Sequence, residues 1–233
     1  MEVKNKDNNP NIEAMFKAGA HYAFARSKRH PTTAPYIFGV KNRVEIFNLE
    51  ETDILLNKAL EFVKAIAATG KHILFVGGKS ESQEAIRKGA LTLGLPHVAG
   101  RWIGGTLTNF GEIRRRIEKF ERLTVEREKG ELTKYTKKER LLIDREIANL
   151  DRFFGGLVLM KEKPAALFVI DPRKEKIAVK EAEDCGIPVI ALAGSDCNLK
   201  DVDFPIVAND ASRASIEFFV QKIVAAYKAG KQA

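Results

Sequence analysis

Three short runs of uninterrupted apolar residues punctuate the chain: Ile73-Leu74-Phe75-Val76, Ala166-Leu167-Phe168-Val169-Ile170 and Val189-Ile190-Ala191-Leu192-Ala193. A strand that is apolar at every position has no solvent face. Strands of that kind alternating with helices predict a parallel sheet covered on both sides. Each run ends in a turn signal: Gly77-Gly78, Asp171-Pro172 and Gly194-Ser195. The first two feed helical periods, with Ala85, Ile86, Ala90 and Leu93 inward after one and Ile177, Ala178 and Ala182 after the other. Pro205-Ile206-Val207 offers a further short strand, and residues 212–227 a closing helix. Upstream, Asn11 as a cap with Ile12, Met15 and Phe16 on one face predicts a short helix stopped at Gly19. Tyr36-Ile37-Phe38 and Val44-Glu45-Ile46-Phe47 read as two short strands around a turn at Gly39–Arg43. A helix from about residue 50 to 68 follows, with Ile54, Leu55, Ala59, Phe62, Val63 and Ile66 as its buried stripe.

Two segments depart from this alternation. Between Glu112 and Arg152, 23 of 41 residues are charged, 13 basic and 10 acidic, so the segment is largely self-compensating. Its apolar positions, Ile113, Ile117, Phe120, then Leu142, Ile147, Leu150, Phe153 and Phe154, recur at spacings of about three and four, broken at Lys129-Gly130-Glu131. One narrow seam on each of two charged helices predicts an inserted antiparallel helical hairpin, a coiled coil. The other departure, Ala20 to Pro35, has neither period and mixes aromatics, cations and prolines. It reads as an irregular arm pinned to something. The expected organisation is an N-terminal helix and basic arm (1–45), an α/β domain (46–111 and 155–233) and the hairpin (112–154).

Charge sharpens this picture. The chain carries 39 Lys and Arg against 31 Asp and Glu, a net charge of +8. From Ala14 to Val44 there is no acidic residue, but there are six cations, Lys17, Arg26, Lys28, Arg29, Lys41 and Arg43, and the remainder stands at 33 against 31. The excess is therefore an N-terminal feature, and it favours a polyanionic partner. No run of about 18 apolar residues suits a membrane span, and the polar start MEVKNKDNNP carries no secretory signal, which predicts a cytoplasmic protein. Cys185 and Cys197 lack metal-ligand spacing and a matching His cluster, so they read as reduced structural thiols and no metal is expected.

Candidate chemistry divides in two. Val76-Gly77-Gly78-Lys79-Ser80 imitates a phosphate-binding loop, and Asp171 closes a hydrophobic strand as a magnesium-holding Asp does. The first glycine of G-x-x-x-x-G-K-[ST] is missing, because Ile73 stands there. An α/β nucleotide-binding enzyme built on Gly77–Ser80 is the alternative reading. His21, His30, His72 and His97 are scattered and sit beside no nucleophile, so no catalytic residue is assigned. Polyanion binding is better supplied. Arg26, Lys28, Arg29, Lys41 and Arg43 are interleaved with His21, Tyr22, Phe24 and Tyr36. Lys79 opens a helix; Arg101 and Trp102 precede a glycine turn carrying Thr106, Thr108 and Asn109; Arg114 and Arg115 root the hairpin. Guanidinium forks, hydroxyls and stacking faces are the groups that recognise RNA backbone and unpaired bases.

The strings RWIGGTLTNF at Arg101–Phe110, ALFVIDPRKE at Ala166–Glu175, GIPVIAL at Gly186–Leu192, PYIFG at Pro35–Gly39 and AGAHY at Ala18–Tyr22 resemble the bacterial small-subunit ribosomal protein S-two family, collinearly from about Ile12 to Tyr227. The resemblance implies a flavodoxin-like α/β domain with an α-hairpin insertion. It further implies a structural role in the ribosome, contacts with small-subunit rRNA and with other small-subunit proteins, and help in docking the mRNA-binding ribosomal protein S-one. No cofactor or small-molecule substrate is implied. The chain departs from the family in the arm, with Ala23-Phe24-Ala25 and Arg29-His30-Pro31 where the family has Gly-His-Gln and Trp-Asn-Pro. It departs again at Gly194–Cys197 and Ala208–Ser212.

Overall fold

The computed structural model describes residues 9–232; the polar start of the chain, residues 1–8, lies outside the described residues. Helix α1 spans Pro10–Lys17, with Pro10 at its first turn and the side chain of Asn9, not Asn11, accepting from the Asn11 N–H. Proline at the first helical position has a preset φ and no N–H to satisfy, which moves the cap two residues earlier than the apolar pattern alone suggests. Two turns of 3₁₀ helix, Arg26–Lys28 and Pro31–Tyr36, lead to an antiparallel ribbon of β1 (Ile37–Lys41) and β2 (Val44–Phe47). The ribbon closes on Asn42 and Arg43, both with positive φ.

The main sheet has five parallel strands: β3 (Ile73–Val76), β4 (His97–Val98), β5 (Ala166–Ile170), β6 (Val189–Ala193) and β7 (Phe204–Val207), in the order β4-β3-β5-β6-β7. This is the doubly wound, flavodoxin-like order, whose switch point lies between the first and third strands, here β3 and β5. The three apolar runs of the sequence are β3, β5 and β6, buried at every position. The two-residue β4 carries too little pattern to be read from sequence.

Alternate strand residues feed two cores. Ile73, Phe75, Phe168, Ile170, Ile190 and Leu192 pack with α2 (Leu49–Ala68), α3 (Ser80–Leu93) and α7 (Arg213–Gln232). Leu74, Val76, Leu167, Val169, Val189 and Ala191 pack with α4 (Phe110–Glu128), α5 (Lys137–Phe154) and α6 (Lys176–Asp184). Helices α4 and α5 pair along Ile113, Ile117, Leu123, Ile147, Leu150 and Phe154, and Lys119 bridges to Glu146. Thr136 caps α5 in a reciprocal box with Glu139.

Four apolar-face assignments fail. Phe16, Ile54, Leu142 and Ile177 are about half exposed or more, while Leu56 is fully buried in α2. An apolar stripe is wider than the contact it makes, and a residue at its edge faces water.

The arm is pinned to the chain itself. Ala23 N–H donates to Glu45 O (3.0 Å) and Glu45 N–H to Phe24 O (3.3 Å), so the arm runs beside β2. The Phe24 N–H donates to Ser195 Oγ (3.1 Å), the His30 N–H to Ser195 O (2.8 Å) and the Asn209 N–H to Ala20 O (2.9 Å). The basic segment is thereby stitched to the loops that leave β6 and β7.

Candidate nucleic-acid interface

In doubly wound sheets, ligands enter the crevice at the carboxyl ends of the strands flanking the switch point. Here that crevice is filled by the chain's own side chains. Lys79, at the N-terminus of α3, sends its ammonium between Asp171 (2.6 Å) and Asp210 (2.8 Å), and all three side chains are largely buried. Glu175 occupies the position a phosphate would take: its Oε1 accepts from the Gly78 N–H at 3.1 Å, and a Cβ on Gly78 would collide with that carboxylate. The glycine needed for close approach thus serves an internal carboxylate. Burial drives the Asp210 carboxyl up to about 6, assisted by the Asp171 and Asp196 charges and opposed by Lys79. Burial also pushes the Cys197 thiol up, so it stays protonated.

Asp171, Cys197 and Asp210 bring three ligand-type atoms within 4.8 Å of one another. That cluster was invisible in sequence because its members lie at the ends of β5, β6 and β7. The Lys79 ammonium supplies the compensating positive charge there.

The glycine-rich turn is also organised inward. Glu181 of α6 receives Trp102 Nε1–H (3.1 Å) and the Gly105 N–H (2.8 Å) on Oε1, and the N–H groups of Leu107 (2.9 Å) and Thr108 (3.3 Å) with the Thr108 hydroxyl (3.3 Å) on Oε2. Gly105 has φ +91°, which turns its N–H onto the carboxylate at no steric cost. Burial raises the Glu181 carboxyl, but the donors from Leu107, Trp102, Gly105 and Thr108 outweigh it and hold it below its ordinary value. Trp102 is 6% exposed and Thr106 1%, and the Thr106 hydroxyl donates to Ile103 O. The motif that carries the resemblance is therefore a loop wrapped around one glutamate. The sequence signal was real; the partner, 73 to 79 residues downstream, was not legible in it.

The sequence-derived cations fall into two groups. Arg29 pairs with the buried Glu45 (2.9 Å), Arg114 faces Glu118 and Glu121, Arg115 pairs with Glu112, and Lys79 is held as above. Arg26, Lys28, Lys41, Arg43 and Arg101 are exposed and form no ion pair among the described residues. Lys28 lies 5.7 Å over the Phe24 ring. Tyr22 and Phe38 are exposed in the same region, Phe38 at 78%. Asn109 is exposed at the start of α4, and its side chain makes no cap bond. Among the described residues no helix is long and apolar enough to cross a membrane.

Fold and site together define an α/β scaffold that neutralises its own ligand crevice and presents cations and aromatics on an N-terminal arm. Residues 15–230 match the family model for ribosomal protein S2. Small ribosomal subunit protein uS2 of Roseiflexus sp. (strain RS-1) is 40% identical over 212 residues, covering 91% of this chain and 81% of that one. The uS2 proteins of Chlorobium phaeobacteroides and Salinibacter ruber are 42% and 38% identical, covering 91% and 95% of this chain and 84% and 69% of theirs. The chain belongs to the ribosomal protein S2 family, a family of structural proteins and not of enzymes.

Proposed function

We propose that this chain, a structural constituent of the small ribosomal subunit, binds small-subunit rRNA through its arm and ribbon. One observation carries the reading. Arg26, Lys28, Lys41 and Arg43, all without carboxylate partners among the described residues, share the arm and ribbon with exposed Tyr22 and Phe38, while Arg29 and Lys79 are held by buried acids. Cations that neutralise phosphates, with aromatic faces for unpaired bases, are what RNA requires. The docking of ribosomal protein S-one rests on the family resemblance. The α4–α5 pair, with Leu141 and Leu142 exposed at 51% and 54%, offers a surface for a protein neighbour.

The test is the salt dependence of rRNA binding by the purified chain. Replacing Arg26, Lys28 and Arg43 with Gln should lower the slope of log K against log salt by roughly 2 to 3. An unchanged slope refutes the arm as the contact. Small subunits assembled without this chain should hold less S-one; undiminished S-one refutes that part.

A further inference from the structure

A feature left unused lies at the sheet edge formed by β4. Helix α3, the loop after β4 and the end of α5 enclose a solvent-open pocket of about 490 Å³. Arg87, Arg101 and Arg152 come to its wall from these three elements, with Gln83 as a neutral donor and Asp151 as the lone carboxylate. None of the three arginines forms an ion pair among the described residues, although pairs abound on the neighbouring helices. Burial, and after it the Arg87 charge, hold His97 below its ordinary value, so this wall residue is neutral at pH 7 and the positive charge belongs to the guanidinium groups. Arg152 is steadied over the Phe153 ring at 5.4 Å. Gly156 has no room for a side chain against His97, which leaves bare main chain on that side of the pocket.

We propose that this pocket is an anion site that takes a phosphate group of an RNA backbone. Guanidinium forks converging from separate rigid elements match the geometry of phosphate oxygens, and surplus arginines facing one concavity repel one another until an anion enters. The open, arginine-rimmed form suits a phosphate on a polymer running across the surface more than a free nucleotide, which needs an enclosed apolar slot for its base. The inference rests on the RNA-binding reading above and adds a second contact, lined by residues of α3, β4 and α5 and not by the arm.

The experiment compares the full chain with the double variant Arg87→Gln/Arg152→Gln, binding purified small-subunit rRNA across a salt series, with inorganic pyrophosphate as a competing probe. These are exposed side chains, and an unchanged unfolding midpoint confirms that the variant is folded. The expected result is a several-fold loss of affinity and a slope reduced by roughly 1 to 2, with pyrophosphate competing only at millimolar levels. Wild-type binding with an unaltered slope in the variant overturns the pocket while leaving the arm intact. Absence of rRNA binding by the wild type overturns both readings. Micromolar pyrophosphate affinity, lost in the variant and insensitive to rRNA, overturns the assignment to a polymer and points to a free phosphate ligand.

Discussion

The Lys79 ammonium lies 2.6 Å from the Asp171 carboxylate, and that contact closes the crevice between β3 and β5 where an enzyme of this fold would hold its ligand. A second carboxylate, Asp210, completes the triad at 2.8 Å. Removing the lysine leaves two buried acids without their cation, so Lys79→Ala should cost about 3 kcal/mol of stability. Urea unfolding measures it. If Lys79 instead served nucleotide turnover, the variant would be stable and inactive.

Glu181 makes a second prediction. Glu181→Gln keeps the shape but turns an NH₂ toward N–H donors, so the Trp102–Thr108 loop loses acceptors and gains a clash of donors. Hydrogen bonds to a charged group are worth about 1.5–3 kcal/mol each, and the net cost should be about 2–3 kcal/mol. The sole tryptophan, hydrogen-bonded to this carboxylate, reports the change directly in its fluorescence. A variant with wild-type emission and stability would show the loop does not depend on Glu181.

The Asp210 carboxyl titrates near 6 when folded, against 3.8 for an ordinary aspartate. Between those values the native state binds more protons than the unfolded chain, so this group's contribution to stability is complete below about pH 4. It declines as pH rises through the window and is flat above 6. Asp210→Asn should remove that part of the pH slope. A carbon-detected titration of the Asp210 carboxyl places its midpoint independently.

Arg43 sits at φ +66°, beside Asn42 at +52°, in the two-residue turn of the ribbon. Asparagine tolerates this region; arginine does so at a cost of about 1 kcal/mol. Arg43→Gly should therefore raise the melting temperature by a few degrees while weakening rRNA binding. Opposite movements of stability and affinity in one variant would separate the charge of this residue from its backbone role.

Legibility followed sequence distance. The strands β3, β5 and β6 were plain because each is apolar throughout and bounded by turn residues, and α2 was legible to within one residue of its start. The basic arm was found by its charge, but its attachments to Ser195 and Asn209 were not, since nothing local in either partner announces a residue 170 or more positions away. The same holds for Glu45, which turned Arg29 from a free cation into a paired one, and for Glu181, which turned a ligand-like glycine loop into a folded one. Charge patterns identify which residues are cations; only the tertiary structure says which have been answered from within.

The stitching of the arm also has a consequence in time. Phe24 waits for Ser195, and Gly19 and Ala20 wait for Asn209, whose side-chain and backbone N–H groups they accept. During synthesis from the N-terminus, the arm emerges first and its anchors almost last, with the whole α4–α5 pair made in between. Until the final strands appear, the acid-free segment remains outside the sheet domain, so a chain interrupted before β6 carries the full positive arm without the loops that hold it in place.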